Sequence, residues 1–209
     1  MTLAAVVLCG GRSSRMGAPK AWLPFGGEPM LLRVLRALER CSPRVVVAAP
    51  GQELPPLPEG VVVRRDSLEG RGPLQGLAAG LAGLEGPAYV SSCDVPFLCQ
   101  EYVERMASLL GDDAIAVPEA GGRRHPLAAA YRAERVLPVV EGLLAEDRLR
   151  MAALFERLPT RFVREDELGD AGLASLRNIN TPEEHEEALR DAGLSGRRPS
   201  RPGRPSPGG

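Results

Sequence analysis

A seven-residue apolar run, Leu3 to Cys9, passes directly into a glycine-rich basic loop, and this junction restricts the fold more than any other feature of the chain. Such a run suits a strand buried on both faces. It is far short of the ~20 apolar residues that span a bilayer. The loop that follows, LCGGRSSRMGAPK at residues 8–20, leaves the carboxyl end of that strand, the edge at which open parallel sheets bind ligands. Gly10 and Gly11 remove side chains so that backbone amides can reach a ligand, Ser13 and Ser14 add donors, and Arg15 and Lys20 add positive charge. Together these make an anion cradle, most economically for a triphosphate. The alternative is a surface loop that is merely flexible.

Downstream, strand-like and helix-like segments alternate. Arg44–Ala49, Val61–Arg65, Ala88–Ser92 and Ala114–Val117 read as further strands. From Pro29 to Arg40 a helix carries Met30, Leu31, Val34, Leu35 and Leu38 on one face, with Arg33, Arg36, Glu39 and Arg40 on the other. Leu74–Leu84 reads as a helix weakened by Gly76, Gly80 and Gly83, whose reason is close packing. Tyr102, Val103, Met106, Leu109 and Leu110 mark another helix face. Beyond residue 120 the rhythm loosens: Pro126–Tyr131 and Thr160–Arg164 look extended, and 134–144, 148–158 and about 182–192 look helical. Thr181, Pro182 and Glu184 form the cap of the last helix. The expected fold is α/β, a three-layer α/β/α sandwich around a mainly parallel twisted sheet, Rossmann-like. Residues 1–194 form one domain, and 195–209 form an Arg/Pro/Gly-rich tail too poor in apolar residues to fold.

Composition excludes several functions. The net charge of −1 over 209 residues does not describe a polycation that coats nucleic acid. The tail's four arginines (197, 198, 201 and 204) leave the body acidic on balance. Cys9, Cys41, Cys93 and Cys99 form no Cys-x-x-Cys pair, so they read as small buried side chains in a reducing compartment. His125 and His185 are too few and too far apart for a histidine-rich metal site. No leader pattern or membrane segment is apparent, so a cytoplasmic protein is expected. Lys20 is the sole lysine among 26 basic residues. A compact ammonium approaches a phosphate as a point charge, which an arginine fork does not replace.

Two common phosphate motifs fail here: Lys20 is followed by Ala21 rather than Ser or Thr, and no Gly-x-Gly-x-x-Gly occurs. The loop instead resembles the Leu-x-Gly-Gly-x-x-x-Arg-Met-Gly-x-Asp-Lys signature of molybdenum cofactor guanylyltransferases, within the wider nucleotidyltransferase family. The resemblance extends over about residues 3–190. Asp66-Ser67, Gly72-Pro73-Leu74-Gln75-Gly76, Cys93-Asp94-Val95-Pro96-Phe97, His125-Pro126 and Asn178-Ile179-Asn180-Thr181-Pro182 follow in the family's order.

The resemblance implies a nucleotidyltransferase fold and transfer of GMP from GTP to molybdenum-bound molybdopterin, with Mg²⁺ as cofactor and Mn²⁺ as a substitute. It implies GTP and molybdenum-molybdopterin as substrates, with molybdenum-insertion and molybdoenzyme maturation proteins as partners and neither nucleic acid nor membrane. Asp94 would carry the metal; a lone carboxylate at a strand end suits Mg²⁺ held partly by phosphate oxygens. Read in isolation, Asp94 is better explained as a residue that ends a strand at a turn, and the loop motif beside it reverses that preference. Asp66 would contact the nucleotide, unless Arg65 ties it up in an ion pair. Leu8, Cys9 and Gly10 would form the backbone rim of the base and ribose pocket, beside Gly11. Gly10 lacks the methyl usual in cytidylyl-transferring relatives, leaving room for guanine. Gly72, Pro73 and Leu74 open a helix whose amides offer an anion or base-edge site. Arg15, Lys20 and Asp94 are the catalytic candidates. His125, Asn178 and Asn180 match the pterin side, although Asn180 also suits a purely local turn role.

Two departures stand out: Pro19 replaces the Asp that usually precedes the loop lysine, and Ala48 lacks the amide of a second-strand Asn. Cytidylyl transfer and a non-catalytic nucleotide-binding role in maturation are the rival readings.

Overall fold

The computed structural model describes residues 2–10, 19–66 and 71–194. In chain order it contains β1 (Ala4–Leu8), β2 (Pro24–Phe25), β3 (Glu28–Pro29), α1 (Met30–Ala37), β4 (Arg44–Ala48), β5 (Val61–Arg65), α2 (Gly72–Leu81), β6 (Pro87–Ser92) and α3 (Gln100–Leu109). Then come β7 (Ile115–Ala120), β8 (Arg123–Arg124), β9 (Ala128–Arg132), α4 (Ala133–Ala145), α5 (Ala152–Phe155), β10 (Thr160–Arg164), α6 (Glu165–Ser175) and α7 (Pro182–Asp191). The main sheet runs β10-β7-β9-β6-β1-β4-β5, with β8 paired to β7. β1 is parallel to both β4 and β6, β4 to β5, and β7 to β10. β9 is antiparallel to its neighbours β6 and β7. The six parallel strands therefore end at one common edge, as the α/β reading expects.

Alternation along the strands distributes two cores. Ala4, Val6 and Leu8 of β1 face α2, α4 and α5, together with Val45 and Val47. Ala5, Val7 and Cys9 face α1, α3 and α6, together with Val46 and Tyr89. Every residue of β1 is buried, as its unbroken apolar run requires. A small third cluster joins Leu23, Phe25 and Met30 to Ile179 and Ala188 of the carboxyl-terminal segment.

Gly80 explains why α2 contains glycine. A Cβ there would lie 2.4 Å from Val6 Cγ1 and 3.3 Å from Val47 Cγ2, so the helix rests on the strands at backbone distance. Gly83, in contrast, lies beyond the end of α2 with φ 67°, where it serves the turn rather than packing. The helix expected over 148–158 shrinks to α5. Asp147 ends α4 in the left-handed region (φ 56°), and the Arg148 N–H returns to the Leu143 carbonyl, 2.9 Å away. Besides the two-residue β8, the β2–β3 hairpin and α6 had not been anticipated. The β2–β3 hairpin turns on Gly26-Gly27, both at positive φ, a pair that signals such turns. α6 starts with Glu165, Asp166 and Glu167, favourable at a helix amino end, and its backbone leaves helical geometry at Gly169. All four cysteines are free; three are buried and Cys99 is half-buried. No helix among the described residues is long and apolar enough to cross a membrane.

Candidate active site

The register places Leu8 between Ser92 and Val47, and Ala48 beside Arg65, so the ends of β1, β4, β5 and β6 form one rim. Asp94 lies two residues past β6 and is 7% exposed. Its Oδ1 accepts from Ser92 Oγ at 2.5 Å, and its Oδ2 accepts from Lys20 Nζ at 2.5 Å. The loop behind it is held from both sides. Arg33 Nε donates to the Pro96 carbonyl at 2.5 Å, and the Ile179 N–H donates to the Asp94 carbonyl at 2.9 Å. Arg33 was expected on the solvent face of α1. Instead it is partly buried, its guanidinium 4.8 Å from the centre of the Phe25 ring, and burial lowers its pKa.

Lys20 opens a single turn of 3₁₀ helix, Lys20–Trp22. Pro19 precedes it in an extended conformation (φ −60°, ψ 127°), and its carbonyl accepts from the Trp22 N–H at 2.9 Å. Lys20 Nζ also donates to Asn180 Oδ1 at 2.8 Å. Asn180, expected on the pterin side, thus stands beside the lysine and carboxylate. No helix or strand runs through 177–180, where buried Ile179 anchors the third cluster while its neighbours Asn178 and Asn180 are exposed. The cap at α7 forms, with Thr181 Oγ1 accepting from the Glu184 N–H at 3.2 Å. The Glu184 carboxylate, however, accepts from the Asn180 N–H rather than that of Thr181, so the cap also fixes Asn180.

The remaining expected residues separate. Leu8 and Leu74 are buried core side chains, leaving only their backbones for a ligand. Cys9 is buried beside Cys93; the hydrogen bond with that thiol, then burial and the Asp94 charge, push the Cys9 thiol well above its ordinary pKa. It is a neutral floor beneath the rim. Gly10 is exposed, and a Cβ there would meet only the Ala49 nitrogen, at 3.8 Å. Arg65 does not spend its donors on Asp66. Its Nη1 donates to the Ala49 and Gln52 carbonyls, at 3.1 and 2.6 Å. Gly72 and Pro73 begin α2, which carries no side-chain cap at its amino end. His125 lies at the β8–β9 corner with Nε2 3.2 Å from the Ala120 carbonyl, a local contact that does not join it to Asp94. Gly11 and Arg15, with Ser13 and Ser14, lie outside the described residues, as does the tail from 195 to 209.

Among the described residues no three His, Cys, Asp or Glu side chains converge on a point that could hold a metal. Asp94 nevertheless fits Mg²⁺, which is commonly bound by one or two carboxylates, with phosphate oxygens and water completing its shell. Sequence reasoning missed Ser92, which orients Asp94, and Asn180 as a partner of Lys20. The hydroxyl two residues before the aspartate was a readable signal for the first.

A family model described as a MobA-like NTP transferase domain matches residues 5–162. A probable molybdenum cofactor guanylyltransferase from Mycobacterium tuberculosis H37Rv is 42% identical over 162 residues, 74% of this chain and 79% of that protein. One from Mycobacterium marinum is 40% identical over 190 residues, 87% of this chain and 90% of the relative. Among solved structures, molybdopterin-guanine dinucleotide biosynthesis protein A from Archaeoglobus fulgidus has the same fold, with a TM-score of 0.73 at 23% identity, covering 91% of this chain and 98% of that one.

Proposed function

The chain belongs to the MobA-like NTP transferase family and is a nucleotidyltransferase, and from that premise we propose that it transfers GMP from GTP to the terminal phosphate of molybdenum-bound molybdopterin. The observation that carries the reading is the Lys20–Asp94 pair at the carboxyl rim of the sheet, in a chain 40–42% identical to relatives named for guanylyl transfer.

In this reaction an oxygen of the acceptor phosphate forms a bond to the α-phosphorus of GTP. The bond from that phosphorus to the bridging oxygen breaks, and pyrophosphate leaves with the electron pair. The nucleophile is already an anion, so no strong general base is required, and catalysis rests on alignment and charge neutralisation. Asp94 would hold Mg²⁺, which when bound neutralises charge on the phosphates. Lys20 approaches the leaving phosphates as a point charge, and Asn180 sets where its ammonium sits. Ser92 keeps Asp94 in one rotamer. Cys9 and Gly10 present backbone to the base.

Purified protein supplied with Mg²⁺, molybdenum-loaded molybdopterin and one nucleotide at a time tests the proposal. Stoichiometric pyrophosphate and a guanine dinucleotide product, formed from GTP in preference to CTP and ATP, are expected. Equal or faster use of CTP overturns the guanylyl assignment, and no pyrophosphate from any nucleotide overturns the reaction.

A further inference from the structure

The loop that follows β4 is tied to three separate parts of the rim, and Gln52 is its centre. Gln52 Nε2 donates to the Cys9 carbonyl at 3.2 Å, across 43 positions of sequence. Its Oε1 accepts from the Ala49 N–H at 3.0 Å, and its own N–H donates to the Ala49 carbonyl at 3.2 Å. Arg65, next to Asp66, holds the Gln52 carbonyl from the end of β5. Trp22, on the turn that carries Lys20, donates its indole N–H to the Glu53 carbonyl at 3.1 Å. The base rim, the lysine turn and the Asp66 strand therefore all meet at residues 49–53.

We propose that Gln52 is a positioning residue for the nucleobase, holding the Cys9 carbonyl at the orientation that meets a guanine edge and thereby setting base selectivity. A carbonyl oxygen accepts two hydrogen bonds. Gln52 supplies one of them, which fixes the peptide plane and directs the remaining acceptor position. Guanine presents an N–H and an amino group side by side, donors that a fixed acceptor can discriminate. A base lacking those donors leaves the second acceptor position of the Cys9 carbonyl unfilled and binds more weakly. Ala48, at the end of β4, has no side-chain amide to do this, and Gln52 reaches the same rim from four residues later. The geometry also separates two roles within one side chain: Oε1 braces the loop through Ala49, and Nε2 alone reaches Cys9.

The inference rests on the reading of this rim as a nucleotide site, and the test keeps the two apart. Full-length wild type, Gln52→Leu and Gln52→Glu are titrated calorimetrically with GTP, CTP and inorganic tripolyphosphate, each with Mg²⁺, beside a thermal melt of each protein. Gln52→Leu removes both hydrogen bonds; Gln52→Glu keeps the acceptor for Ala49 and loses the donor to Cys9. Both variants are expected to weaken GTP about tenfold and to reduce the GTP-over-CTP preference, with tripolyphosphate affinity unchanged. A variant that retains the wild-type GTP-to-CTP ratio overturns the inference, because a mere brace of the loop shifts the melt without touching selectivity. Gln52→Glu behaving as wild type likewise overturns it and assigns the effect to Ala49. Equal weakening of GTP and tripolyphosphate overturns it in favour of general collapse of the loop. Wild-type protein that binds none of the three instead overturns the nucleotide site itself.

Discussion

The two charges at the centre of the site rest on different foundations. Asp94 extends from β6, whose side chains divide between the two large cores flanking the sheet. Lys20 lies just before Leu23 and Phe25, which pack in the small cluster with Met30, Ile179 and Ala188. The sheet side is dense and continuous; the satellite side joins an early hairpin to a late helix across more than 150 residues. Among the described residues, bonds that tie the two regions at the site include the Lys20–Asp94 pair, the Ile179–Asp94 backbone bond and the Arg33–Pro96 bond. Phe97 adds an edge-to-face contact with Phe25, at 5.8 Å between ring centroids. The carboxylate is thus fixed by the fold, while the position of the ammonium depends on docking of a small cluster with fewer buried residues than either large core.

That contrast orders the expected effects of mutation. Asp94→Asn removes the charge proposed to hold Mg²⁺ and should lower single-turnover pyrophosphate release about 1,000-fold, ~4 kcal/mol of transition-state stabilisation, with the circular dichroism spectrum unchanged. Ile179→Ala empties the satellite cluster and should destabilise it by ~3 kcal/mol. Hydrogen exchange should then accelerate at residues 20–30 and 179–194 while β1 and β6 stay protected; uniform acceleration would show that the regions are one unit. Asn180→Ala takes an acceptor from the lysine ammonium and should reduce turnover about 30-fold, ~2 kcal/mol for a hydrogen bond to a charged group, without altering the exchange pattern. Gly10→Ala has the smallest effect. Its methyl meets only the Ala49 nitrogen, at ordinary contact distance, so the melting temperature should hold. GTP affinity should fall about fivefold, ~1 kcal/mol, and CTP affinity less.

The same contrast accounts for what could be read from the sequence. β1, β4 and β6 were legible within about one residue, because a strand buried in a parallel sheet is written as a short apolar run, whereas β5 and β10, the more exposed strands at the two edges of the sheet, were legible as short stretches rich in Val, Phe and Thr. Asp94 was legible because it sits at the end of such a run. Apart from α7, whose cap was readable, the satellite region is written in contacts between distant residues. β2 and β3 are two residues each, and α6 carries two glycines and little apolar surface. Gln52 and Cys9 are 43 positions apart, and Lys20 and Asn180 are 160 apart, so neither contact has a sequence signal. Asn180 was found through family resemblance alone, which marked the residue without its lysine partner. Arg33 follows helical periodicity onto the polar face, yet the Asp94–Phe97 loop folds over that face and captures it.

The central claim is that a triphosphate is bound between Lys20 and the carboxyl rim, and the single lysine permits a direct measurement. Amine-selective acylation of the folded protein, followed by mass spectrometry, can modify only Lys20 and the amino terminus. Saturating GTP with Mg²⁺ should protect Lys20 while leaving the amino terminus as reactive as before, and full modification should abolish pyrophosphate release. Lys20 labelling that is indifferent to nucleotide, with activity surviving complete acylation, would contradict the account.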